Sequence, residues 1–201
     1  MTIGYQGMAS RSRFEELAIP HRNSAFNLAY WILRNREDAE DAVQDAYMRA
    51  YRAFDTFAGA DARAWLLAIV RNVAYSFLEA RKRSRNLIAL SKELSLGDSV
   101  DAVSQEPSPE TIVIVQERRQ LLLDALTKLS PVHRDILVLR EMEELSYSEI
   151  SQITGTAIGT VMSRLSRARA ELLRSARGTA RQIENGSSIR ATAGLNTRSR
   201  Q

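Results

Sequence analysis

Apolar residues recur every three to four positions along most of this chain, and the period-two alternation that marks strands is nearly absent. The pattern predicts an all-α fold. From about Ser12 to Leu33, the residues Phe14, Leu17, Ala18, Ala25, Leu28, Ala29 and Ile32 share one stripe, with Pro20 placed to bend or break the helix. A second helix is predicted from Glu37. Its first turns hold Glu37, Asp38, Glu40 and Asp41, carboxylates that complement the positive end of the helix dipole. Val43, Ala46, Tyr47, Ala50 and Phe54 form its inner face. Gly59 and Asp61 fall in a short loop. A third helix is predicted from Arg63 to about Arg83, with Leu66, Ile69, Val70, Val73, Phe77 and Leu78 inside.

The period fails between Arg85 and Glu110. SKELSLGDSVDAVSQEPSPE contains Gly97, Pro107, Pro109 and many serines and acids, and it reads as a linker. Helical spacing resumes over Thr111–Leu129. Ser130-Pro131 starts another helix, with serine at the cap and proline at the first helical position; it runs to about Glu141. Ser146 and Glu149 have capping-box spacing. Thr154-Gly155 ends that short helix, and a final one is predicted from Ile158 to about Ser175. The remainder is rich in Gly, Ser, Thr and Arg and is expected to be disordered. The organisation is therefore a helical domain over 10–85, a linker over 86–110, a second helical domain over 111–175 and a basic tail over 176–201.

Composition narrows the functions this layout can serve. The 201 residues include no cysteine, which excludes disulfides, thiolate metal sites and a cysteine nucleophile and fits a reducing cytoplasm. The two histidines, His21 and His133, lie far apart and lack metal-ligand spacing. GxSxG, Walker and GxGxxG loops are missing, so no catalytic residue, metal or cofactor is assigned. No apolar run approaches the ~20 residues needed to span a bilayer, and MTIGYQGMASRSRF has no apolar signal core. Charge is unevenly spread: residues 1–85 are net +3, 86–117 net −5, 118–175 net +2 and 176–201 net +4.

The short capped helix, glycine turn and longer helix after Ser146 outline a helix-turn-helix. Ile158, Val161, Leu165, Ala168 and Leu172 have the spacing to pack inward, leaving Thr160, Ser163, Arg164 and Arg167 outward. Between Ser151 and Ala170 there are three arginines and no acid. Arginine can grip guanine bidentately, and hydroxyls bind phosphate or base edges. In such motifs the N-terminal residues of the second helix contact bases, and helix N-termini add backbone donors to phosphates. An ordinary solvated face, with Arg167 paired to Glu171, is the alternative.

Three blocks together resemble a bacterial sigma factor of the extracytoplasmic-function (ECF) type, within the sigma-70 superfamily. AYWILRNREDAEDAVQDAYMRAYRAF (Ala29–Phe54) is similar to the family's core-polymerase-binding stretch. DARAWLLAIVRNVAYSFLEARKR (Asp61–Arg83) is similar to its minus-ten recognition helix. ALTKLSPVHRDILVLREMEELSYSEISQITGTAIGTVMSRLSRARAELL (Ala125–Leu173) is similar to its minus-thirty-five-binding domain. They stand in the family's order and cover roughly half the chain. The order leaves no room for the extra domains of a housekeeping sigma factor, which favours the short class.

The resemblance implies a sigma-2-like helical bundle and a sigma-4-like helix-turn-helix domain joined by a flexible acidic linker. It implies that Asp41, Gln44, Asp45 and Arg49 bind core RNA polymerase. It implies that Gly59, Asp61, Arg63, Arg71, Asn72, Tyr75 and Ser76 engage the melted minus-ten strand, the loop Asp55–Asp61 capturing a flipped base and Tyr75 stacking. Trp65 belongs to the core, and Arg81, Lys82, Arg83 and Arg85 could track phosphates. Ser146, Tyr147, Thr160, Ser163, Arg164 and Arg167 would read the minus-thirty-five duplex. Ser76 replaces a frequent aspartate, Ala58 an arginine, Met162 a lysine and Ala157 a proline of the family pattern.

The implied partners are core RNA polymerase, promoter DNA and an anti-sigma factor, in the cytoplasm, with no membrane insertion and no small-molecule substrate. The acidic linker would follow the polymerase's positively charged channel, or act as a spacer. The other reading of the residues is a stand-alone helix-turn-helix regulator with residues 1–95 as a sensor or dimerisation domain.

Overall fold

The computed structural model describes residues 3–59, 61–89 and 120–195, and among these there is no strand. The expected linker over 86–110 and the first half of the helix predicted over 111–129 fall almost wholly outside them. The chain divides into two compact units, Met1–Val100 with Pro131–Leu165, and Asp101–Ser130 with Ser166–Gln201.

The first unit begins with α1 (Ile3–Ala18). The single helix expected from Ser12 to Leu33 is two: Pro20 sits in a 3-10 turn, Ile19–His21, and α2 (Arg22–Leu33) follows. Proline cannot donate to the preceding turn and its ring clashes there, so the break falls where the sequence places it. Phe14 at the end of α1 meets Tyr51 and Phe54 edge-on, each with ring centroids 5.3 Å apart. Tyr47 Oη donates to the Ala18 carbonyl at 2.8 Å and closes the end of α1.

α2 stops at Arg34, which adopts a left-handed φ of 57°. Asn35 then caps α3 (Arg36–Ala53), its side chain accepting from Asp38 N at 2.8 Å. Glu37 and Asp38 in the first turn add favourable charge. A 3-10 turn at Phe54–Thr56 leads to α4 (Ala62–Ala89), whose start is capped by Asp61 Oδ1 accepting from Ala64 N at 2.9 Å.

α2, α3 and α4 pack pairwise into a bundle. Leu28 and Ile32 of α2, Ala39, Ala42, Ala46 and Ala50 of α3, and Leu66, Leu67, Val70 and Val73 of α4 are buried. The alanine row on α3 allows close helix approach. Full burial of each large aliphatic side chain contributes about 1.5–3 kcal/mol. The predicted stripes hold, with Leu17, Tyr47, Ile69, Phe77 and Leu78 only half-buried, while Trp31 and Leu33 are buried in addition.

Residues 131–165 complete this unit. Pro131 opens α5 (Pro131–Leu137), which continues as a π-helical turn over Val138–Met142. The chain reverses through Glu144 (φ 55°), held by Arg140 Nη1 donating to the Leu145 carbonyl at 2.7 Å. α6 (Tyr147–Thr154) carries the predicted capping box: Ser146 Oγ accepts from Glu149 N, and Glu149 Oε2 accepts from Ser146 N. Gly155 ends it at φ 63°, a conformation in which a Cβ would be strained. α7 begins at Ile158.

In the second unit, residues 120–127 are helical, and Ala125, Leu126, Leu129 and Ala168 are buried. α7 does not stop near Ser175 but runs to Leu195. The tail expected to be disordered is therefore helical over 176–195. No proline interrupts it, and its Ala, Arg and Gln residues are good helix formers that offset the scattered glycines.

Candidate nucleic-acid and polymerase interface

The helix-turn-helix is built by burying one face of each of its helices. Ile150 and Ile153 of α6 and Val161 and Leu165 of α7 face inward. The turn is sealed by Ser151 Oγ donating to the Thr156 carbonyl at 2.6 Å and by Thr154 Oγ1 donating to the Ile150 carbonyl at 2.7 Å. Met162, Ser163, Ser166 and Arg167 are exposed, while Thr160 and Arg164 are half-buried on one flank. Among the described residues, neither Arg164 nor Arg167 is paired with a carboxylate, so the alternative Arg167–Glu171 pair does not form. Ser163 Oγ donates to its own helix at Thr160 O, 3.0 Å. Ser166 and Met162, also exposed, were not among the predicted readers, although i,i+3 spacing from Ser163 points to Ser166.

At the start of α6, Ser146 is exposed but its hydroxyl serves the cap. The Glu149 carboxyl is held below the ordinary carboxylate range, first by its hydrogen bond with Ser146. Tyr147 is half-buried under the Arg140 guanidinium, 5.0 Å from its ring centroid.

The minus-ten candidates on α4 have a different setting. Gly59 is exposed, and a Cβ there would meet the Phe57 ring edge at 3.0 Å, a tight contact that a small shift of that ring would have to relieve. Trp65 packs on the same ring with centroids 4.7 Å apart, which places it with the aromatic core. Asp61 is the α4 cap. Asn72 and Ser76 are exposed, Ser76 Oγ donating to Asn72 O at 3.0 Å.

Arg63, Arg71 and Tyr75 are all engaged by acids of 131–165. Arg71 Nε donates to Asp135 Oδ2 at 2.8 Å, Tyr75 Oη donates to the same oxygen at 2.8 Å, and Arg63 Nη2 donates to Glu143 Oε2 at 2.5 Å. Arg71 also lies 4.6 Å from the Tyr75 ring centroid. Burial pushes the Asp135 carboxyl up, opposed by Arg71 and Tyr75, and burial with the nearby Asp135 charge pushes the Tyr75 phenol up. Beside them Arg134, 5% exposed, donates from Nη1 to the Trp31 carbonyl at 2.8 Å. Burial and nearby Arg34 lower its pKa to about 10.

The third group lies on α3. Asp41, Gln44 and Arg49 are exposed and Asp45 half-buried, spaced at one helical face. Arg49 binds Asp45 through two bonds, Nε–Oδ1 at 3.1 Å and Nη2–Oδ2 at 2.8 Å, which leaves the face nearly neutral there. Met48, 51% exposed on the same face, interrupts the polar positions with an apolar one and was not among the predicted polymerase-binding residues. Among the described residues no group of three or more His, Cys, Asp or Glu could hold a metal ion, and no helix is long and apolar enough to cross a membrane.

Two family models match this chain: sigma-70 region 2 over residues 17–84 and sigma-70 region 4 over residues 119–172. An ECF RNA polymerase sigma-E factor of Escherichia coli is 37% identical over 136 residues, covering 66% of this chain and 70% of that protein. The ECF RNA polymerase sigma factor SigE of Mycolicibacterium smegmatis is 33% identical over 164 residues, 82% of this chain and 62% of that longer relative. Among solved structures, the sigma factor RpoE of Bartonella quintana, in complex with the anti-sigma factor NepR, is 30% identical. It superposes with a TM-score of 0.65 over 82% of this chain and 97% of that one. The fold and its exposed faces thus define a transcription initiation factor of the sigma-70 type. The chain belongs to the ECF RNA polymerase sigma factors.

Proposed function

We propose that this chain binds core RNA polymerase through the α3 face of Asp41, Gln44, Asp45, Met48 and Arg49 and directs it to promoters. Residues 10–85 act as the polymerase- and minus-ten-binding region, and 111–175 as the minus-thirty-five-binding region. The stretch 86–110 is the connection between them, and the basic stretch 176–201 is an extension. The start of α7, with Thr160, Ser163, Arg164 and Arg167, lies in the major groove of the minus-thirty-five element, supported at its edge by Ser146 and Tyr147. Gly59, Asp61, Arg63, Arg71, Asn72, Tyr75 and Ser76 meet the opened minus-ten strand. The factor works in the cytoplasm and makes or breaks no bond itself; nucleotide addition belongs to the polymerase. An anti-sigma factor is its expected regulator, as the Bartonella relative's complex illustrates for that protein.

The observation that supports this reading most is the face at the start of α7, Ile158–Ala168, which carries the hydroxyls of Thr160 and Ser163, the guanidinium groups of Arg164 and Arg167, and no acid. Run-off transcription tests it. Purified chain is mixed with core polymerase and its own upstream DNA, with polymerase-free binding measured alongside. Initiation at one start site, requiring both proteins and lost on Arg164→Ala with Arg167→Ala, is expected. Tight specific binding without polymerase, and no initiation with it, would favour a stand-alone regulator.

A further inference from the structure

We infer that Ile158 and Met162 read thymine: the two apolar side chains meet C5-methyl groups in the major groove of the minus-thirty-five element and so help to set which promoters this factor accepts. The inference deepens, and rests on, the proposed placement of the start of α7 in that groove.

Ile158 and Met162 are the first and fifth residues of α7. They are 47% and 52% exposed. Single apolar residues on a surface are ordinary and need no function. These two are set apart by their position and their neighbours. They stand four residues apart, so they lie one turn above the other on one flank of the helix. Side chains on a helix lean toward its N-terminus. Met162 therefore leans toward Ile158 and toward the end of the helix that contacts bases in helix-turn-helix proteins. The exposed residues beside this flank are small: Gly159, Ser163 and Ser166. A Cβ at Gly159 would meet nothing within 4 Å. The helix surface can thus approach base edges closely here, and the apolar flank comes with it.

The chemistry of the groove selects the partner. Base-pair edges there present hydrogen-bond donors and acceptors, and thymine alone adds a methyl group. An apolar side chain held against guanine or adenine N7 strips water from an acceptor and returns no hydrogen bond, which costs free energy. Held against the thymine methyl it gives up no hydrogen bond, and both apolar surfaces leave water. Ser163 does not duplicate the contact. Its hydroxyl already donates to Thr160 O at 3.0 Å, which leaves it only acceptor capacity toward a base.

Base analogues test this on the full chain with core polymerase. In the minus-thirty-five element of the promoter mapped by run-off, each thymine of either strand is replaced in turn by deoxyuridine. That exchange removes only the C5-methyl group and keeps every hydrogen-bonding atom. Holoenzyme affinity is measured by competition gel shift. At one or two positions the exchange should weaken binding about fourfold, the factor for one methyl group taken out of contact. Met162→Ala should weaken binding to the unmodified element and make one of these positions indifferent to the methyl group. Ile158→Ala should do the same at a neighbouring position, so the test does not hang on one variant. Met162→Lys should abolish the methyl preference and raise the salt dependence by about one phosphate contact.

An element with no thymine whose exchange weakens binding would overturn the inference. So would a loss that persists undiminished in both Met162→Ala and Ile158→Ala. Arg164→Ala with Arg167→Ala, measured on the same duplexes, separates the causes. If that pair weakens binding while the deoxyuridine series is flat, α7 reads the groove but not through its apolar flank. If neither changes binding, the placement of α7 in the groove is itself wrong.

Discussion

Two helices of this sigma factor carry the arginines proposed to meet nucleic acid, and they hold them in opposite ways. On α7, Arg167 is exposed and Arg164 half-buried, and neither has a carboxylate partner. On α4, Arg63 and Arg71 are paired with Glu143 and Asp135, acids 80 and 64 residues away. The residue type is the same, but its energetic meaning is not. An exposed, unpaired guanidinium contributes little to folding and is available to a ligand at once. A covered, paired one contributes to folding and must be released first. Function and stability should therefore separate on α7 and be entangled on α4.

The sharpest way to break that comparison is Arg71→Ala. It leaves Asp135 buried without its cation, which should cost about 3–5 kcal/mol of stability. Chemical denaturation would show the loss, and an unchanged midpoint would mean that Asp135 does not depend on Arg71. Next in size is Arg167→Ala. It should weaken promoter binding by polymerase holoenzyme by about 1–3 kcal/mol while leaving the thermal midpoint unmoved, read by gel shift and calorimetry. A shifted midpoint would mean that α7 is not the free face described.

Ser146→Ala should cost about 1 kcal/mol through loss of the α6 cap, measurable as faster amide exchange across α6. The smallest effect is a pH dependence. The Glu149 carboxyl lies below its unfolded value, so its contribution is present above the ordinary carboxylate range and is lost as pH falls through its lowered folded value. Following α6 by amide resonances under acid titration should show this, and Glu149→Gln should abolish it.

Local features of the molecule were legible in the sequence because their causes are local. Pro20 breaks a helix, Pro131 starts one, Ser146 and Glu149 cap another, and Gly155 ends it. Each acts within four residues, the range over which spacing carries information. The buried stripes were legible for the same reason, except at the start of α7, where Ile158 was expected to pack inward and is 47% exposed. What escaped was pairing at a distance. Arg134 and Asp135 lie in the first turns of a predicted helix, where charged residues are ordinarily solvated, yet they are 5% and 1% exposed. Nothing in periodicity links Asp135 to Arg71, so Arg63, Arg71 and Tyr75 read as open DNA contacts when they are occupied. The exposure of Met48 was not read either, because an apolar residue on a charged face has no helical partner to announce it. The length of α7 was missed because a composition of Gly, Ser and Arg was weighed more heavily than the absence of any proline.

The joint between α2 and α3 sets a limit of another kind. Arg34 and Asn35 are its whole length, one in the left-handed conformation and the other the cap of the next helix. An α-helix turns about 100° per residue. One codon inserted there, or in the three-residue corner Gly155–Ala157, would change the phase of the helix that follows. The α3 face of Asp41, Gln44, Asp45 and Arg49 would then rotate by about 100°, or α7 would present Met162 and Ser166 where Ser163 and Arg167 belong and turn Arg164 toward the place where Leu165 is buried. Substitutions at these corners can be graded in their effect, whereas a change in length there is all or nothing.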